Sequence, residues 1–217
     1  MKSNSSSSKA FNGSGNVRDP DPEVKHRAVR PMTHERIGQV FAGVGQRLRE
    51  GRSGEAERLL AETIEGSTHK PDDLANLKRL LSFTLETIGR YKESLEVIKL
   101  YEDEANLSQL SLETQVRVTT QLAIAYNNLT DQPKAITLLK ENLQRANDND
   151  LRHLSGGIDI GLARVYRKLN EFPICRDYGE RSLNLFRETG NWLGMAEAYR
   201  EIANSYHQEG NSEKALK

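Results

Sequence analysis

Five histidines, one cysteine and a cluster of glycines are the residues of this 217-residue chain with types suited to chemistry. Clustered histidines would ligate a metal, a cysteine beside a histidine would act as a nucleophile, and a glycine-rich turn before a helix would cradle phosphates. The spacing supports none of these. His26, His34, His69, His153 and His207 are scattered, with no i, i+4 pair of the kind that holds a metal on one helix face. Cys175 has no histidine or acid set beside it and reads as a small packed thiol. Gly43 and Gly45 lack the third glycine and the preceding strand of a dinucleotide loop. Gly156, Gly157 and Gly161 lack the Lys-Ser/Thr of a phosphate loop, and read instead as close helix packing or a bend that opens a groove. The stretch 45–50 is faintly like the first helix of a helix-turn-helix repressor, but no recognition helix follows it. No enzyme, cofactor or metal site is expected.

The elements that would position any other site follow from composition and pattern. Hydrophobic residues make up 36% and charged residues 29%, which is too polar for one thick core and suits a thin elongated layer. The formal net charge is zero, with 31 basic and 31 acidic residues, which argues against nucleic acid as a partner. A single cysteine excludes an intramolecular disulfide framework and suits a reducing compartment. No apolar run is long enough to cross a membrane and the N-terminus has no apolar signal region, so a cytoplasmic location is expected. Residues 1–33 are rich in Ser, Asn, Gly and Pro, with six basic side chains against three acidic ones, and are read as a disordered basic tail.

From His34 onward the pattern is helical, and no window sustains the alternation of a strand, so no sheet is expected. Pro71, Pro133 and Pro173 fall at expected helix starts or turns. Small residues recur at Ala56, Ser94, Ala135, Cys175 and Ala215, at intervals of 38, 41, 40 and 40. Three of them follow, nine residues on, the triplets Leu122-Ala123-x-x-Tyr126, Leu162-Ala163-x-x-Tyr166 and Ile202-Ala203-x-x-Tyr206. Positions i, i+1 and i+4 share a helix face, so each triplet is an apolar stripe with a small residue that admits a partner helix closely. Leu81-Ser82-x-x-Leu85 is a weaker version, and Arg47 interrupts the first one.

This arrangement resembles the tetratricopeptide repeat (TPR), over about residues 34–217, in a long variant of about 40 residues per unit. The resemblance implies an all-α, right-handed solenoid of about 4.5 helix-turn-helix units, the last one incomplete. The six or so residues beyond the commonest unit would lengthen the helices by roughly 9 Å per unit. It also implies a non-catalytic scaffold or adaptor whose first helices line a concave groove for a protein or peptide. Read by phase, the groove residues are Arg79, Arg117, Asn127, Asn128, Arg164, Arg167, Lys168, Arg200, Asn204 and His207. Their basic and amide side chains suit an acidic or C-terminal peptide. The clamp that the family uses for chaperone tails is disfavoured, because only Arg79 fits it while Phe83, Gln121, Gly157 and Gly161 do not.

The alternative reading is a sensory input segment of a larger signalling protein, such as a kinase, cyclase or transcription regulator, truncated at residue 217. Tyr199, Ile202, Ala203 and Tyr206 would then form an apolar stripe awaiting further chain, or another chain, to cover it.

Overall fold

The structure, a computed structural model, describes residues 30–215. Of the tail expected over residues 1–33, residues 1–29 lie outside the described residues, while 30–33 are ordered, with Arg30–Pro31 paired to Ser67–Thr68 and Thr33 capping the helix that starts at His34. Helices follow one another in antiparallel pairs: α1 (His34–Arg49) with α2 (Ser53–Glu65), α3 (Pro71–Thr87) with α4 (Tyr91–Ile98), and α6 (Leu112–Asn128) with α7 (Gln132–Asp148). Next come α8 (Arg152–Lys168) with α9 (Phe172–Glu188), and α10 (Trp192–Gln208) with the short α11 (Ser212–Ala215). A 3-10 turn over Lys99–Glu102 and the single-turn α5 (Glu104–Leu107) intervene between α4 and α6. The result is a right-handed TPR-type solenoid.

The turn that closes each pair is the same backbone device. Two positions past the end of the first helix of every unit, one residue adopts a left-handed conformation: Gly51, Gly89, Thr130, Asn170 and Gly210, with φ between 61° and 85°. The next N–H then reaches back to a carbonyl five residues earlier. These bonds are Arg52 N to Arg47 O (2.8 Å), Arg90 to Leu85 (3.0 Å), Asp131 to Tyr126 (3.0 Å), Glu171 to Tyr166 (2.9 Å) and Asn211 to Tyr206 (2.8 Å). Carbonyls left over at a helix end are satisfied in this way, and glycine or asparagine makes the geometry inexpensive. Thr130 is the exception in side-chain type, since a β-branched residue is disfavoured at positive φ.

Four residues beyond that point the small side chains enter the seam. Ala56, Ser94, Ala135 and Cys175 are completely buried. Apolar side chains fill the space around them in three successive clusters, one over α1–α3, the largest over α3–α9 and one over α8–α10. Repeat register extends to polar contacts. Asn142 Nδ2 donates to Val116 O at 3.2 Å, and 40 residues on Ser182 Oγ donates to Gly156 O at 2.8 Å.

From α6 to α10 every helix has 17 residues, so the extra length of the unit does go into the helices there. The second unit departs from this. α4 stops after eight residues, and the chain turns through the 3-10 segment and α5 so that Tyr101, Leu107 and Leu110 are buried. Asp103 caps α5 by accepting from Ala105 N at 2.7 Å, and Ser111 caps α6 by accepting from Thr114 N at 3.4 Å. A second departure is a two-residue parallel pairing of β1 (Arg30–Pro31) with β2 (Ser67–Thr68), extended by Met32 N to Thr68 O at 3.0 Å. It clips the approach to α1 onto the turn after α2 and forms no layer.

Candidate functional site

Helices α3, α6, α8 and α10 stand side by side, and their outward faces form two adjoining clefts. The first, about 210 Å³, has an apolar floor of Phe83, Ile124, Ile158 and Ile160, with Arg79 and Arg117 at its edge. Gly157 faces it with open space where a side chain would stand, while Gly156 and Gly161 are held tightly against Phe186 and Leu139. Close helix packing is thus present at Gly156 and Gly161, while Gly157 leaves room in the cleft. The second cleft, about 370 Å³, shares Phe83, Ile124, Arg164 and Glu197 with the first.

The expected groove residues divide accordingly. Arg79, Arg117 and Arg164 line the first cleft, and Asn127, Asn128, Arg164, Arg167, Lys168, Arg200 and Asn204 line the second. His207 lines neither and lies exposed on the last turn of α10. Asn127 needs a correction: its side chain is 2% exposed rather than displayed, because it sits on the flank of α6 turned into the helix layer.

Charge is distributed differently from the simple count of basic residues. Glu201 is buried and collects three arginines. Arg164 Nε donates to its Oε1 at 3.2 Å, Arg167 Nε to Oε2 at 3.0 Å, and Arg200 Nη2 lies 3.4 Å from Oε1. Arg164 also donates to Glu197 at 3.2 Å. Lys168 donates from Nζ to Asn127 O at 2.9 Å. The C-terminal half of the groove is therefore internally compensated. Arg117 pairs with Glu113 at 2.6 Å.

Arg79 stands apart. Its Nε is buried without a hydrogen-bond partner, and no ion pair reaches it among the described residues. Burial, with repulsion from Arg117, brings its guanidinium down to about 10. Deeper in the second cleft, Glu86 accepts from Gln121 Nε2 at 2.8 Å and from Ser94 Oγ at 3.2 Å. Burial pushes its carboxyl up to about 7, against the pull of Arg164 and Lys168.

Sequence reasoning missed Glu86, Glu197, Glu201, Ile124 and Ile158. The signal for the acids was available: Glu197 and Glu201 are one turn apart on α10 and fall 33 to 37 residues after the arginines they bind, close to one repeat length. Cys175 is buried in the seam, where burial and the nearby Glu201 push its thiol up to about 11, far from a reactive thiolate. Of the described histidines, His69 has its Nε2 3.0 Å from Thr63 O and His153 its Nε2 3.4 Å from Glu113. Among the described residues, no helix is long and apolar enough to cross a membrane.

Likeness to known proteins bears on the fold. Residues 154–217, the last two units, match the family model for the tetratricopeptide repeat. No curated protein matches the chain in sequence. Among solved structures, BtubC (BKLC) from P. vanneervenii is similar with a TM-score of 0.60 at 18% identity, over 84% of this chain and 76% of that one. The TPR-like repeats of a putative kinesin light chain from Podosopora anserina give 0.56 at 17% identity, over 85% and 92%. Bacillus thuringiensis PlcR, solved with the peptide PapR7 and DNA, gives 0.67 at 12% identity, over 83% and 67%. At these identities the likeness is one of fold.

Proposed function

We propose that the chain is a non-catalytic scaffold whose groove binds an extended segment of a protein or peptide partner through an acidic group and a bulky apolar one. The observation that carries the reading is the pairing of a half-buried Arg79, whose Nε is buried without a hydrogen-bond partner, with the apolar floor of Phe83, Ile124 and Ile158. A buried N–H without an acceptor is costly, and a ligand carboxylate at that point would supply one while excluding water from the floor. The peptide in the PlcR complex is consistent with a solenoid of this shape accepting an extended ligand. Compensation of Arg164, Arg167 and Arg200 by Glu197 and Glu201 makes the N-terminal cleft, rather than the whole groove, the seat of negative charge on the ligand.

Display of a random peptide library on the wild-type chain, followed by affinity measurement on the selected peptides, tests this. The selected set should be enriched in sequences with an acidic residue or free C-terminus near a bulky apolar side chain. Arg79→Ala should weaken them at least tenfold, corresponding to a charge-assisted contact of about 1.5–3 kcal/mol. Peptides that bind equally well to Arg79→Ala and Ile124→Glu variants of unchanged helicity would refute the groove assignment.

A further inference from the structure

Between α7 and α9, outside the groove, lies a notch of about 270 Å³. At its base Asp159 is 0% exposed, yet neither carboxylate oxygen has a hydrogen-bond partner among the described residues, and neither does the Ser155 hydroxyl one turn before it. Arg181 Nη2 stands 3.4 Å from Asp159 Oδ1, within ion-pair range but outside hydrogen-bonding geometry, and about half of that side chain is in solvent. Buried polar groups in folded proteins are almost always satisfied, so three unsatisfied oxygens converging on one opening require an account. Burial also pushes the Asp159 carboxyl up to about 6, with Arg181 only partly opposing it.

The surroundings select the chemistry of an occupant. Leu143 and Leu185 form apolar walls, and Asn147 and Asn184 supply polar groups at the rim. Arg152, paired with Glu188 of the same rim at 3.5 Å, and Arg181 flank the opening, so the two guanidinium groups offset Glu188 and Asp159 and leave no excess negative charge to hold a divalent metal ion. A singly charged group with several N–H donors and an alkyl stem meets both conditions. Its donors reach Asp159 and Ser155 while the stem lies against the leucines. We infer that this notch is a binding site for an alkylammonium or alkylguanidinium group, the chemistry of a lysine or arginine side chain. It lies apart from the groove and does not depend on what the groove binds.

Titration of the isotopically labelled full chain, followed by amide NMR shifts, tests the site with three probes: ethylammonium chloride, N-acetyl-lysine methylamide, and sodium chloride at matched ionic strength. The expected result is saturable shifts at residues 147–159 and 181–188 with either amine and none with sodium. At ten times the dissociation constant the melting temperature should rise by about 3–5 °C. Asp159→Asn should keep the helical circular dichroism and lose saturation. Arg181→Gln, which removes the resident cation, should tighten ethylammonium binding about threefold or more. Saturation with both amines assigns the site to a protein side chain, and saturation with ethylammonium alone assigns it to a free amine. Both outcomes uphold the cation chemistry. Shifts that match sodium chloride, or binding unchanged in Asp159→Asn, would overturn it and leave water as the occupant.

Discussion

Ser82 Oγ lies 2.8 Å from Ser94 Oγ in the seam between α3 and α4, at the positions that Ala123 and Ala135 occupy one unit later. Two departures from alanine thus occur together and satisfy each other. Ser82 Oγ also accepts from Gln121 Nε2 at 3.3 Å and Ser94 Oγ also donates to Glu86 at 3.2 Å, so replacing either serine alone by alanine removes one of two partners from the other and should cost about 1 kcal/mol. The double replacement should cost less than the sum, which urea denaturation of the two single variants and the double variant measures. Strict additivity would show that the hydroxyls act independently.

Thr130 adopts φ 69° where the other units use Gly or Asn. Thr130→Gly should therefore stabilise the array by about 1 kcal/mol, net of the added freedom of the unfolded chain. A melting temperature raised by about 2–4 °C would confirm it.

Two glycines on facing first helices should respond in opposite senses to alanine. Around Gly157 there is open space, so Gly157→Ala should gain about 0.8–1 kcal/mol of helix propensity. A methyl at Gly194 would stand 2.6 Å from the Phe186 ring, so Gly194→Ala should lose about 1–3 kcal/mol. Thermal melts of the two variants compare them directly.

Glu86 makes stability depend on pH in an uncommon direction. Its carboxyl is raised from 4.5 to about 7 in the folded chain, so the folded state holds that proton more tightly than the unfolded one. The contribution is neutral below about 4.5 and becomes increasingly unfavourable as pH rises toward 7, reaching on the order of 3 kcal/mol above it. Glu86→Gln should be more stable than wild type at pH 8 and indistinguishable from it at pH 4. Asp159, raised to about 6, adds a fall of the same sign that the Glu86→Gln variant should retain.

Glu201 joins α10 to α8 through Arg164 and Arg167. Glu201→Ala would leave these guanidinium groups without their buried acceptor, and should cost about 3–5 kcal/mol, localised to the fifth unit. Hydrogen exchange should accelerate in α10 and the end of α8 while α6 stays protected.

The repeated frame was legible because it rests on local requirements. Tyr126, Tyr166 and Tyr206 mark the carbonyls that the turns bond back to, and Ala135 and Cys175 mark the seam. Residues 99–111 were not legible, since the burial of Tyr101, Leu107 and Leu110 depends on what lies beside them rather than on any period. Phase set eight of the ten expected positions along the two clefts, with Asn127 turned inward and His207 outside them, but it could not show which cations were already held. That information lies in the acids of the neighbouring helix, Glu197 and Glu201, one repeat away in sequence. The apolar stripe expected on α10 is partly open: Tyr199 is 52% exposed, while Ile202, Ala203 and Tyr206 line a cleft with Lys214 and Ala215. The exposed Trp192, at 78%, was not anticipated.

Because the left-handed turn residue and its back-reaching bond recur after every first helix, the units behave as interchangeable cassettes. A duplicate of residues 112–151 spliced in after Leu151 would begin and end on joints the backbone already knows how to make. Lengthening the groove then becomes a matter of copying rather than reinvention, with each added cassette extending it by one fixed step.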